Sequence, residues 1–185
     1  FLSNPYATEL FLKYLKEELV DTGKLRDVLE FYPSQTDIIA DVISKSININ
    51  KENIFVGNGA IEDIQSVMHN FVGKKIIVNI PTFSSYYEFA REDTEVVYYQ
   101  LDKKDNYSLM TDKYLEFVKK ENPDSVVIIN PNNPNGGYLK YKELRYILNN
   151  LKEIENIIID ESFIHFAFED EEYELISATE LYKEF

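Results

Sequence analysis

The sequence predicts an α/β protein of three layers, α/β/α, built around a mostly parallel sheet. Two observations carry that prediction. Lys75–Ile80, residues 126–130 and residues 157–159 are runs of β-forming apolar side chains with little polar alternation, as in strands covered on both faces. Segments whose apolar residues recur every three or four positions lie between them, the alternation expected of parallel strands and crossover helices.

The elements follow in order. Residues 7–20 read as an amphipathic helix through Leu10, Phe11, Tyr14, Leu15 and Leu19. Phe31-Tyr32-Pro33-Ser34 interrupts the chain, and Ser34 or Thr36 is placed to cap a second helix carrying Ile38, Ile39, Val42 and Ile43. Residues 53–56 form a short apolar run before Gly57-Asn58-Gly59-Ala60, and helical spacing resumes over 61–71 through Ile64, Val67, Met68 and Phe71. Lys75–Ile80 is a strand ending at Pro81, and residues 95–101 are another. A helix over 111–120 precedes the strand at 126–130. The helix over 141–151 puts Leu144, Ile147, Leu148 and Leu151 on one face, and a last buried strand at 157–159 ends in Asp160-Glu161.

With 185 residues, 44% hydrophobic and 28% charged, the chain belongs with folded globular proteins rather than disordered ones. A formal net charge of −14 repels phosphate backbones, so nucleic acid is excluded as an expected partner. The acidity reads as a solvated surface, with Glu169-Asp170-Glu171-Glu172 as an exposed loop and Asp21, Asp37 and Asp41 as capping or surface carboxylates. The absence of cysteine removes disulfides and thiolate zinc sites. His69 and His165 do not make a metal site, and His165 reads as a packed or surface residue. No apolar segment is long enough to span a membrane and none resembles a signal peptide, so no membrane partner and a cytoplasmic location are expected. The chain opens on Phe1 instead of methionine, and is expected to be an excerpt of something longer.

In a sheet of this kind ligands gather at the carboxyl ends of the strands, and four such ends stand out here. Gly57-Asn58-Gly59-Ala60-Ile61-Glu62 is a glycine turn opening a helix, whose free amides suit a phosphate. Pro81-Thr82-Phe83-Ser84-Ser85-Tyr86-Tyr87 offers an aromatic face to a planar ligand. Asn130-Pro131-Asn132-Asn133-Pro134-Asn135-Gly136 holds the Asn133 amide off the sheet edge, since Pro134 restricts the residue before it. Asp160, following three isoleucines, is a carboxylate that needs a partner. Each alone has a plain structural reading: a common helix start, core aromatics, an Asx turn, a strand-end carboxylate. Together they describe the binding of a planar aromatic phosphate with a protonated ring nitrogen, and pyridoxal 5′-phosphate fits that description.

The order and content of these motifs resemble the fold-type I pyridoxal-phosphate enzymes of the class I/II aminotransferase family. The nearest branches are the histidinol-phosphate aminotransferases and the threonine-phosphate decarboxylases. Tyr32-Pro33 and Asn4-Pro5-Tyr6 are similar to further parts of the pattern, so the resemblance covers almost the whole chain. It implies that residues 35–185 are the first part of the cofactor-binding large domain, incomplete in this chain, and that residues 1–34 are an N-terminal arm and helix. It also implies that Gly59, Ala60 and Ile61 hold the cofactor phosphate and that Phe83 stacks on the ring with Tyr86 beside it. Asn133 would bond the phenolic oxygen, Asp160 would pair with the ring nitrogen, and Tyr6 would approach the substrate. A homodimer acting on a small amino substrate, phosphorylated in these branches, is implied as well.

Two positions depart from the pattern. Phe163 stands where the transaminase branch usually has a tyrosine and the decarboxylase branch tends to have phenylalanine; Asn135 replaces a usual threonine and reads as a turn variation. No lysine here has the surroundings of the one that tethers the family's cofactor, so the chain by itself is expected to be inactive. The resemblance further implies two later strands between the family's first strand and the one at 126–130. The expected function is that of an aminotransferase when complete. A threonine-phosphate decarboxylase, sharing every residue visible here, is the alternative, and a degenerate, non-catalytic ligand-binding domain is the second.

Overall fold

The computed structural model describes residues 4–33, 36–167 and 181–185. Ser34 and the acidic stretch 169–172 lie outside them. Four parallel strands, β1 (Lys75–Ile80), β2 (Glu95–Gln100), β3 (Ser125–Ile129) and β4 (Asn156–Asp160), form one sheet in the order β2-β1-β3-β4. Helices α1 (Pro5–Tyr14), α2 (Leu25–Glu30), α3 (Thr36–Ile47) and α4 (Ala60–Asn70) precede the sheet. Between strands lie α5 (Ser85–Glu88), α6 (Thr111–Glu121) and α7 (Tyr141–Asn150), and α8 (Leu181–Glu184) follows.

Alternation along each strand divides the core in two. Ile77, Val126 and Ile128 face α6 and α7 in a cluster with Tyr114, Val118, Leu144 and Ile147. Ile76, Val78, Val127 and Ile129 face the other way, against Ile64 and Met68 of α4 and Tyr86 of α5. The sheet is therefore covered on both faces, the three-layer arrangement predicted from its apolar strands.

Strand order creates the place for a ligand. The chain passes from β1 to β2 on one side, then returns to put β3 on the other side of β1, a topological switch point. Between β1 and β3 the paired residues are Ile76 with Ser125 and Ile77 with Val126, whereas β1–β2 pairing runs the full six residues. The Pro81 and Asn130 loops begin at the carboxyl ends of these two central strands.

Several expectations are adjusted. The helix read over 7–20 is α-helical through Tyr14 and continues as a π-helical segment, Leu15–Val20, with no buried residue in either part. Residues 54–57 lie outside regular structure and pair with no described strand; Phe55 is exposed. An extended segment cannot count as a strand without a neighbour to receive its backbone hydrogen bonds. The strand at 126–130, β3, pairs directly with β1 and with β4. None of the described helices is long and apolar enough to cross a membrane.

Tyr114 is buried completely between Tyr99 and the α7 face, and its hydroxyl has no hydrogen-bond partner among the described residues. Burial pushes its phenol well above the ordinary tyrosine range. Tyr114→Phe is expected to raise stability at neutral pH by about 1 kcal/mol by removing an unsatisfied polar atom. Above pH ~10 the unfolded chain releases this proton while the folded chain keeps it, so stability falls as pH rises. The variant should lose less stability there than the parent; denaturant midpoints at pH 7 and pH 10.5 measure both effects.

Candidate functional site

The switch point gathers three of the four strand ends singled out in the sequence. Asp160 closes β4 opposite Ile129, and its carbonyl accepts the Asn130 amide at 2.8 Å. Its carboxylate is held at both oxygens: Oδ2 accepts the Tyr86 hydroxyl at 2.8 Å and Oδ1 accepts the Ser162 amide at 2.8 Å. Tyr86 reaches it from α5, 74 residues earlier in the chain, and is itself buried. Burial and then the Asp160 charge hold the Tyr86 phenol far above its usual range, so the hydroxyl remains a donor at any working pH. A carboxylate oriented by two donors still has lone pairs for a third.

The glycine turn comes from the same face, since Ile64 of α4 shares a cluster with Tyr86. Gly59 caps α4 with φ +95° and ψ 157°, a region only glycine enters readily. The amides of Gly59, Ala60 and Ile61 form no hydrogen bond among the described residues, and all three residues are exposed. The same turn already receives an anionic group, because the Asn58 amide donates to the Glu62 carboxylate. Gly57 is needed for a different reason: a Cβ there would overlap the Asp63 carboxylate packed across it.

Phe83 is half-buried, packed on the cluster that contains Tyr86. Asn133 lines an open crevice of about 630 Å³ together with Phe163, Phe166 and Tyr138. Its side-chain amide makes no hydrogen bond among the described residues. Tyr6 lies apart, exposed on α1. The direct contact among the predicted site residues is Tyr86 with Asp160.

Four polar residues were not singled out as site residues in the sequence. Asn132 accepts from Thr82 Oγ1 at 2.7 Å and donates to the Pro81 carbonyl at 3.0 Å, joining the loops that follow β1 and β3. Asn135 joins Asn132 to Tyr107, and Ser162 braces Asp160. The asparagine-rich composition of residues 130–135 was the available signal, but which amides face inward depends on the fold. Among the described residues no group of three or more His, Cys, Asp or Glu could hold a metal ion.

These features fit a planar, phosphorylated, nitrogen-containing group: free helix-terminal amides, an unpartnered amide, and a braced carboxylate at the end of a strand. The sequence model of the family described as aminotransferase class I and II matches residues 3–183, and the chain belongs to that family. Pyridoxal 5′-phosphate is the cofactor of this family.

The chain is 69% identical over 185 residues to the L-serine phosphate decarboxylase of Campylobacter jejuni, covering 100% of itself and 47% of that protein. Among solved structures, a decarboxylase from Sulfurospirillum multivorans matches with a TM-score of 0.84 and 50% identity, over 92% of this chain and 44% of that one. The histidinol-phosphate aminotransferase of Clostridium acetobutylicum matches with a TM-score of 0.69 and 29% identity, over 89% of this chain and 46% of that one. The chain thus spans less than half the length of each of these relatives.

Proposed function

We propose that the whole protein of which this chain forms part is a pyridoxal-phosphate-dependent decarboxylase of a phosphorylated amino acid, with L-serine phosphate as its substrate. The observation that carries this is the 69% identity, over every residue of the chain, to a protein of that name. It favours the decarboxylase alternative over the aminotransferase expected first, and Phe163 in place of the transaminase tyrosine agrees with it. The division into an arm, 1–34, and a cofactor-binding part, 35–185, belongs to the same proposal. So do the homodimer and the cytoplasmic location that were expected.

Bound at this site, the cofactor would supply an electron sink for negative charge developing at the substrate Cα. Asp160, braced by Tyr86 and Ser162, would hold a proton on the ring nitrogen. The amides of Gly59, Ala60 and Ile61 would bind the cofactor phosphate, aided by the positive end of α4. Phe83 would cover the ring face, Asn133 would donate to its phenolic oxygen, and Tyr6 would be brought toward the substrate.

Incubating the whole protein with pyridoxal phosphate and L-serine phosphate tests the reaction. Breakage of the bond from Cα to the carboxylate releases carbon dioxide, and protonation of Cα leaves ethanolamine phosphate. Equal amounts of the two are expected, with no need for a 2-oxo acid. Amino transfer to 2-oxoglutarate without carbon dioxide would instead establish the aminotransferase reading, which membership of the family supports.

A further inference from the structure

The loop that carries Asn133 contains four asparagines, and Asn130 is tied to Leu139 through both its side-chain nitrogen and oxygen. Asn133 has no partner among the described residues, so its direction is set by the loop and not by any bond of its own. Asn132 ties the loop back to the end of β1 through Pro81 and Thr82. Backbone bonds from Asn132 N to the Gly137 carbonyl and from Gly136 N to the Asn132 carbonyl close the turn, and Asn135 adds side-chain connections to it. Its Oδ1 accepts from Asn132 Nδ2 at 2.6 Å and from the Gly137 amide at 3.3 Å, while its Nδ2 donates to the Tyr107 carbonyl at 2.7 Å.

That last bond reaches a separate segment, which follows β2. Asn106 and Tyr107 both adopt left-handed backbone, with φ of 53° and 57°. A tyrosine rarely adopts this conformation, and such residues cluster where a functional group has to be held. Asn135 therefore stands between a fixed carbonyl on one side and the turn around Asn133 on the other. A side chain carrying both a donor and an acceptor, at this length, makes the three connections at once.

We propose that Asn135 is a positioning residue: by linking Asn132 and Gly137 to the Tyr107 carbonyl, it fixes the direction in which Asn133 presents its amide to the cofactor's phenolic oxygen. This rests on the proposed function. Asn135 touches neither cofactor nor substrate in this assignment, and it acts through Asn133.

The whole protein, stripped of cofactor and titrated with pyridoxal phosphate, provides the test. Two quantities are read for wild type, N133A, N135A and the double variant: the cofactor dissociation constant, and the pH midpoint of the bound cofactor's visible absorbance. N133A and N135A are each expected to weaken binding about tenfold and to shift the midpoint in the same direction. The double variant is expected to match N133A, since a residue acting only through Asn133 adds nothing once that amide is gone. N135D keeps the acceptor for Asn132 and Gly137 but loses the donor to Tyr107. It is expected to shift the midpoint as N135A does, and it serves in place of N135A should that variant not fold. Multiplied effects in the double variant, or an unchanged midpoint in N135A and N135D, would overturn the assignment alone. A wild-type protein that binds no pyridoxal phosphate would overturn the proposed function, and this assignment with it.

Discussion

Replacing Asp160 with alanine is expected to lower turnover of the whole protein about 100- to 1,000-fold, the scale for removing one charged or polar group aimed at developing charge in a preorganised site. The carboxylate is held in place by three separate parts of the fold. Strand β4 carries it to the sheet edge in register with Ile129, Tyr86 holds one oxygen, and the Ser162 amide holds the other. Asp160→Asn keeps the shape but loses the charge, so it should resemble the alanine variant in turnover. Tyr86→Phe leaves the carboxylate in place with one donor fewer, and a loss of about tenfold is expected. Asp160 is only partly buried and its backbone bond to Asn130 does not depend on its side chain, so the folded state should survive all three changes. Turnover at saturating cofactor, with unfolding midpoints measured alongside, checks the set. A D160A protein working within a few-fold of wild type would remove Asp160 from the chemistry.

Ile77→Ala is expected to have the largest effect on stability, about 3–4 kcal/mol. Ile77 occupies a central strand, pairs with Val97 on one side and Val126 on the other, and has no exposed surface. Its side chain lies within the cluster that includes Tyr114, Ile128 and Ile147, where strands on both sides prevent the site from collapsing around a cavity. Ile158→Ala, on the outer strand β4 and only partly buried, should cost less. Urea titrations with an unchanged slope measure both. An Ile77→Ala protein within 1 kcal/mol of the parent would mean that β1 is not the centre of the sheet.

Much of the fold was legible because its signals are local. Double-sided apolar runs place β1, β3 and β4 to within a residue or two, and helical spacing places α4, α6 and α7 equally well. The short α2 and α5 carry too few turns to show a period. Residues 53–56 have the composition of a strand and yet pair with none described, because composition reports a tendency while a strand needs a neighbour. The four strand ends gave the family and its cofactor. They did not separate decarboxylation from amino transfer, because both chemistries use the same ring-holding residues; likeness to relatives along the whole chain favours the first.

What the sequence determined by itself is therefore the succession of strands and helices, the face each one buries, and the strand ends that carry polar groups. These depend on side-chain period and on restrictions imposed by proline and glycine, which act over a few residues. Only the tertiary structure decided that β1 lies between β2 and β3, that Tyr86 meets Asp160, and that Asn132 and Asn135 are bonded into the fold while Asn133 has no partner among the described residues. Each of those outcomes depends on which strand becomes whose neighbour. Hydrophobic burial drives strands together without choosing among partners of equal apolarity, and the choice is made by the geometry of the connections between them.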